Sequence, residues 1–272
     1  MSEIVDGGNP QALVKNSLVL QEFDSEQNLI FEWNAIDYLD IGEYTDLNLT
    51  SSEFSWMHGN SIEIDYDENL IISNRRSSEV FKIDRNTGDL IWMFGGPLNE
   101  FEIINDELNG FSKQHDARRL DNGNILIFDN GNNHEIPLSR IIEYAIDETN
   151  KIATLIWEYQ NPYNLVSLSM GSSQRLPNQN TLINWGNIQN QGVLIMEIDY
   201  EKNIVRSPRR AVVAQRGPKG FGGFAGVPEG RPPCDAARQA ATDGASYVCR
   251  QHHARCYRPV EIYLCRSQAG EV

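Results

Sequence analysis

The chain has 272 residues, 40% of them hydrophobic, and a formal net charge of -15. That size and composition suit one large β domain or two smaller globular domains, and no run of about 18 apolar residues is present that could cross a bilayer as a helix. The charge is unevenly spread. Residues 206–272 hold 11 of the 23 basic residues but only 5 of the 38 acidic ones, so the first 205 residues are strongly acidic and are expected to repel nucleic acid and anionic membranes.

The opening "MSEIVDGGNP" has neither a basic n-region nor an apolar h-region, so no signal peptide is read there. The first periodic segment is "LVLQEFDSEQNLIFEW" (18–33), two alternating apolar runs around a polar turn, which predicts a β-hairpin. Three longer units follow. Their first halves are "SIEIDYDENLIIS" (61–73), "DARRLDNGNILIF" (116–128) and "SSQRLPNQNTLIN" (172–184), each a polar approach, a turn rich in Asp, Asn, Gly or Pro, then Asn and an apolar run. Their second halves are "EVFKIDRNTGDLIWMF" (79–94), "RIIEYAIDETNKIATLIWEY" (140–159) and "VLIMEIDYEKNIV" (193–205), again hairpin-like.

The anchoring asparagines Asn69, Asn124 and Asn180 are 55 and 56 residues apart. Two hairpins per repeat make a four-stranded antiparallel unit, and units of that size in tandem predict an all-β chain with the blades of a β-propeller. A β-sandwich would not explain the near-constant spacing. The opening hairpin is a copy that lacks its first half, so three to four blades are expected over residues 1–205. After Val205 the repeat stops, and "SPRRAVVAQRGPKGFGGFAGVPEGRPP…" turns to Arg, Ala, Gly and Pro. Residues 206–272 therefore read as a non-native or disordered tail, poorly packed and without part in the chemistry. All four cysteines (Cys234, Cys249, Cys256, Cys265) lie in it, so the acidic part needs no disulfide. Within "CRQHHARC", Cys249, His252, His253 and Cys256 have spacing compatible with zinc, but the ligands crowd into eight residues rather than forming two separated pairs.

In a propeller the first strand of each blade lines the central channel. Aligned on the turn asparagines, His115, Asn60 and Gly171 fall nine residues before the anchors, with His58 two residues before Asn60 on the same strand face. Arg75, Asn130 and Gly186 fall six residues after them. Two histidines, an arginine and an asparagine suit transfer of an anionic group: a neutral imidazole is nucleophilic near neutral pH, and a guanidinium can hold two oxygens of a sulfuryl or phosphoryl group. Zinc held by His58 and His115 is the competing reading. It lacks a third ligand at that level, because alternation turns Asp116 to the opposite face. His134 lies in a loop and reads as structural or solvent-facing.

At these residues the chain resembles the arylsulfotransferase family, the PAPS-independent aryl-sulfate sulfotransferases of β-propeller fold. The matching stretches are "HGNSIEID", "ISNRRSSEVFKIDRNTGDLIWMFGG", "FSKQHDARRLDNGNILIFDNG", "SRIIEYAID" with "WEY", and "GSSQRLPNQNTLINWG", together covering about residues 18–205. The resemblance implies transfer of a sulfuryl group from an aryl sulfate donor to a phenolic acceptor through a sulfohistidine, with no nucleotide, metal or other cofactor. It implies that His115 in "QHDA" is the nucleophile, that His58 and Asn60 in "HGN" bind the sulfuryl group, that Arg75 in "SNR" binds its oxygens, and that Ser172 or Ser173 supplies a hydroxyl. It also implies a periplasmic or secreted enzyme. Two features depart from the family pattern: its fold closes with six blades, and it has an earlier histidine that residues 1–57 do not supply. The chain therefore reads as an internal piece of a longer enzyme, and the resemblance implies the family more firmly than the activity of this piece alone. The other class of function open to the same fold is a non-catalytic propeller that binds a ligand or protein.

Overall fold

The computed structural model describes residues 8–9, 11–44, 46–188 and 192–207, and the strand 261–266. The "CRQHHARC" segment lies outside the described residues. The chain opens with β1 (Leu13–Lys15), β2 (Leu18–Phe23) and β3 (Leu29–Asn34), then a one-turn helix α1 (Ala35–Tyr38) capped by the Asn34 side chain, and β4 (Glu53–Ser55), which pairs parallel with β1. The first complete sheet is β5 (Gly59–Ile64), β6 (Leu70–Asn74), β7 (Glu79–Ile83) and β8 (Leu90–Phe94), antiparallel and in sequence order. Next come β9 (Glu102–Ile104) and β10 (His115–Arg119), β11 (Ile125–Asp129), β12 (Arg140–Asp147) and β13 (Ile152–Gln160); β9 adds a parallel fifth strand outside β13. The third sheet is β14 (Ser172–Arg175), β15 (Thr181–Ile188), β16 (Gly192–Ile198) and β17 (Ile204–Arg206).

Three consecutive four-stranded meanders stacked face to face are propeller blades. The stacking is legible in the burial of the second strands. Leu70 and Ile72 of β6 face the core shared with Trp33 and Leu20 of the opening sheet, whereas Ile71 between them faces the next blade. Likewise Ile125 and Ile127 of β11 pack back against Trp92 and Phe94, and Leu126 and Phe128 pack forward against Ile183 and Trp185. A strand with apolar residues on both faces is therefore continuous in sequence, as "LII" and "ILIF" are. Each such side chain contributes about 1.5–3 kcal/mol of burial free energy. β15 alternates instead: Ile183 and Trp185 are buried, while Leu182 is exposed on the face turned away from the second blade.

The repeated asparagines mark one turn built three times. The backbone N–H groups of Asn69, Asn124 and Asn180 are bonded by Asp67, Asn122 and Asn178, and their carbonyls accept from Asp65, Leu120 and Leu176. The residue before each anchor has positive φ: Glu68 (67°), Gly123 (88°) and Gln179 (66°). The side-chain amides of Asn124 and Asn180 reach Glu143 and Glu197 of the third strands, both at 2.7 Å.

The opening hairpin gains a strand from far along the chain. β18 (Glu261–Arg266) pairs antiparallel with β2, so this sheet runs β18-β2-β3. The edge of β2 offers backbone N–H and C=O groups, and β18 pairs with them. Among the described residues no helix is long and apolar enough to cross a membrane.

Candidate functional site

The first strands begin with irregular pairing. Register shifts between Gly59 and Ser61 in β5 and between His115 and Arg118 in β10, where Asp116 has a φ of 54°. Such bulges at the start of a strand re-aim the side chains there. The bulge leaves Asp116 free to hook the following blade: its Oδ2 accepts the Ser173 N–H at 2.8 Å, as the Ser61 hydroxyl accepts the Ala117 N–H at 3.1 Å one blade earlier. Ser172 stands at the position of Ser61 and Asp116 in the third blade. It is partly buried at the start of β14, while the hydroxyl of its neighbour Ser173 is buried without a hydrogen-bond partner.

His115 is held at both ring nitrogens. Nδ1 lies 2.7 Å from the side-chain oxygen of Asn130, and Nε2 accepts the Met170 backbone N–H at 3.2 Å. Burial holds its pKa below the ordinary histidine value, and the nearby Arg75 charge acts in the same direction. The ring is therefore neutral at pH 7.

Arg75 reaches the same connecting segment. Its Nη2 donates to the Leu168 carbonyl at 3.0 Å and to Asn132 at 3.4 Å, while its Nε is buried without a partner. No carboxylate pairs with it among the described residues, in contrast to Arg76, which pairs with Asp46 at 2.6 Å. Burial lowers the Arg75 pKa. Lys113, two residues before His115, is similar: its ammonium donates to the Arg76 carbonyl at 2.6 Å, and burial, then Arg76, lowers its pKa. Arg75 and Lys113, neither of them ion-paired among the described residues, thus form a positive island in an acidic chain, with Asp46 the carboxylate that acts on Lys113. The segment 167–170 joins the cation to the histidine, and Gly171, with φ of 107° and a position where a Cβ would fall 2.5 Å from the Phe128 ring, lets that segment pass.

Asn60 and His58 are placed differently. Asn60 spends its amide on the next blade: Nδ2 donates to the Gln114 carbonyl at 2.8 Å and Oδ1 accepts from the Asp116 N–H at 3.3 Å. It therefore grips the peptides on either side of His115. His58 precedes β5 and faces Arg75 across the hairpin end, its carbonyl accepting the Arg75 N–H at 2.9 Å and its own N–H donating to Asn74 at 2.6 Å. His134 packs away from this site, with Nε2 2.9 Å from the buried carboxylate of Asp129. Among the described residues no group of three or more His, Cys, Asp or Glu is placed to hold a metal ion.

Sequence reasoning aligned Asn130 with Arg75 but gave it no role, and it passed over Lys113 and the Met170 amide. The alignment six residues past the anchors was the signal for Asn130. Nothing local marks Met170, whose contact spans 55 residues.

Blades of this design define a β-propeller, and they bring His115 and an Arg75 that has no carboxylate partner among the described residues to one connecting segment. The family model of the arylsulfotransferases, Arylsulfotransferase (ASST), matches residues 11–210, and the chain belongs to that family. None of the curated proteins compared with the chain matches it. Among solved structures it is similar to a protein of unknown function from Bacteroides caccae (14% identity over 71% of this chain and 72% of that one, TM-score 0.32). It is also similar to the Myceliophteria thermophila Cps50 (Swd1) β-propeller domain (12%, 56% and 43%, TM-score 0.36) and to the Dos1 propeller (10%, 54% and 39%, TM-score 0.29). The chain spans less than half of each of those two propellers.

Proposed function

We propose that the chain carries a sulfuryl-transfer site in which His115 takes the group from an aryl sulfate ester and passes it to a phenol. A ring nitrogen of His115 attacks sulfur, the bond from sulfur to the aryl oxygen breaks, and the aryl oxide leaves with the electron pair. The acceptor phenol then attacks the sulfohistidine, the nitrogen–sulfur bond breaks, and the phenolic proton passes to solvent. Arg75 supplies a charge-matched fork for the sulfuryl oxygens, Lys113 adds positive potential, and Asn60 and His58 hold the strand ends in place.

The observation that carries this reading is the pairing of a half-buried neutral His115 with an Arg75 that has no carboxylate partner among the described residues, through one segment, 167–170. A chromogenic aryl sulfate tests it. Aryl oxide release that rises with added phenol, with parallel double-reciprocal plots, is expected from two half-reactions. Intersecting plots would mean direct transfer between substrates, and release that persists unchanged in His115→Ala would remove this histidine from the reaction.

A further inference from the structure

The two contacts of the His115 ring decide which of its nitrogens can react. Asn130 lies in the run of buried residues that continues from β11 and is itself fully buried. Its Nδ2 donates to the Ser167 carbonyl at 2.9 Å and to the Met170 carbonyl at 3.0 Å. A carboxamide has two N–H donors on its nitrogen and only lone pairs on its oxygen. With both hydrogens committed to carbonyls that can only accept, the amide cannot turn over, so the atom 2.7 Å from His115 Nδ1 is an acceptor. An acceptor there requires a hydrogen on Nδ1. In a neutral imidazole the lone pair then lies on Nε2. The other side of the ring agrees: the Met170 N–H, which can only donate, points at Nε2.

We infer that Asn130 is a positioning residue that fixes His115 as the Nδ1–H tautomer and thereby makes Nε2 the atom that takes the sulfuryl group. This rests on the sulfuryl-transfer reading and adds its geometry. The Met170 N–H gives up the Nε2 lone pair as the donor enters, and that pair then forms the bond to sulfur while the aryl oxide departs with the pair of the broken S–O bond. Nδ1 keeps its proton throughout, and the positive charge that develops on the ring is met by the Asn130 oxygen through that proton. In the second half-reaction the N–S pair returns to Nε2 and the same tautomer is restored. The role parallels that of groups that orient a metal-bound histidine through its second nitrogen, where replacement typically costs about 10- to 100-fold in activity.

The test is nitrogen NMR of the full chain labelled with 15N-histidine, with His115→Ala assigning one signal among the five histidines. The wild-type His115 signals should show Nδ1 protonated and Nε2 bare. Asn130→Leu removes the acceptor and should shift the ring toward the Nε2–H form, with aryl oxide release slowed about 10- to 100-fold. Asn130→Asp keeps an acceptor but adds charge, so it should retain the Nδ1–H form and move the acid limb of aryl oxide release to higher pH. An Nε2–H ring in the wild type, or Asn130→Leu with the Nδ1–H form and unchanged release, would overturn the assignment. If Asn130→Leu does not fold, Asn130→Asp decides, and an acid limb that stays in place counts against it. A wild-type ring in the Nδ1–H form on a chain that cleaves no aryl sulfate would leave the tautomer standing and remove the sulfuryl-transfer reading.

Discussion

Asn60 on β5 holds the two peptides that flank His115 on β10, donating to the Gln114 carbonyl and accepting from the Asp116 N–H. A residue that reads in sequence as a ligand donor thus spends its side-chain amide on the backbone of the neighbouring blade. Asn60→Ala leaves both peptide groups without that partner. It should cost about 1–3 kcal/mol of stability in urea denaturation. Aryl oxide release should lose kcat by about 10- to 100-fold with KM little changed, because the histidine moves while no ground-state contact is lost. A rise in KM alone would instead mark Asn60 as a direct substrate contact.

Arg75 is expected to separate stability from activity. Its charge is half-buried, lacks a carboxylate among the described residues, and has an unpartnered Nε. Such a group costs folding free energy unless a ligand pairs it. Arg75→Met should therefore unfold at higher urea, by about 0.5–2 kcal/mol, while losing aryl oxide release. Arg75→Lys keeps the charge without the planar fork and should slow release about 10- to 1000-fold. Loss of stability in Arg75→Met would show the guanidinium to be a structural clamp.

Glu79 should make stability fall with pH. The carboxyl is fully buried beside Ser77 and Tyr44, and burial raises its pKa from 4.5 to about 7. The folded chain therefore binds this proton more tightly than the unfolded one. The contribution is present below pH 4.5 and is lost as pH rises through about 7, a change on the order of 3 kcal/mol. Glu79→Gln should flatten that slope in urea titrations at pH 5 and pH 8. An unchanged slope would place the titrating group elsewhere.

His115 titrates in the opposite sense. Burial depresses its pKa below 6.5, so the reactive neutral ring persists into mildly acid solution. Protonation removes the nucleophile, and aryl oxide release should fall only as pH drops below that ordinary value. An acid limb above pH 6.5 in the wild type would contradict the burial of the ring.

The blades were legible in the sequence because their signals are local. Asn69, Asn124 and Asn180 each close a turn with bonds that span four residues or fewer, and the apolar runs of β6 and β11 face two cores at once. The alignment on those turns put His115 and Arg75 near the same strand ends, and both reach segment 167–170. The contacts of the His115 ring were not legible, since Asn130 and Met170 reach it across 15 and 55 residues through a connecting segment, and the backbone targets of Asn60 on the next blade leave no mark in the sequence. The strand β18 was illegible for the same reason: its pairing with β2 joins the two ends of the chain.

The most direct measurement is mass spectrometry of the chain after brief exposure to an aryl sulfate without acceptor, quenched at alkaline pH and digested. The peptide containing His115 should gain the mass of one SO3 group, lose it on addition of a phenol, and remain unlabelled in His115→Ala. A chain that releases aryl oxide while the label is absent from His115, or sits on another residue, would contradict the sulfohistidine.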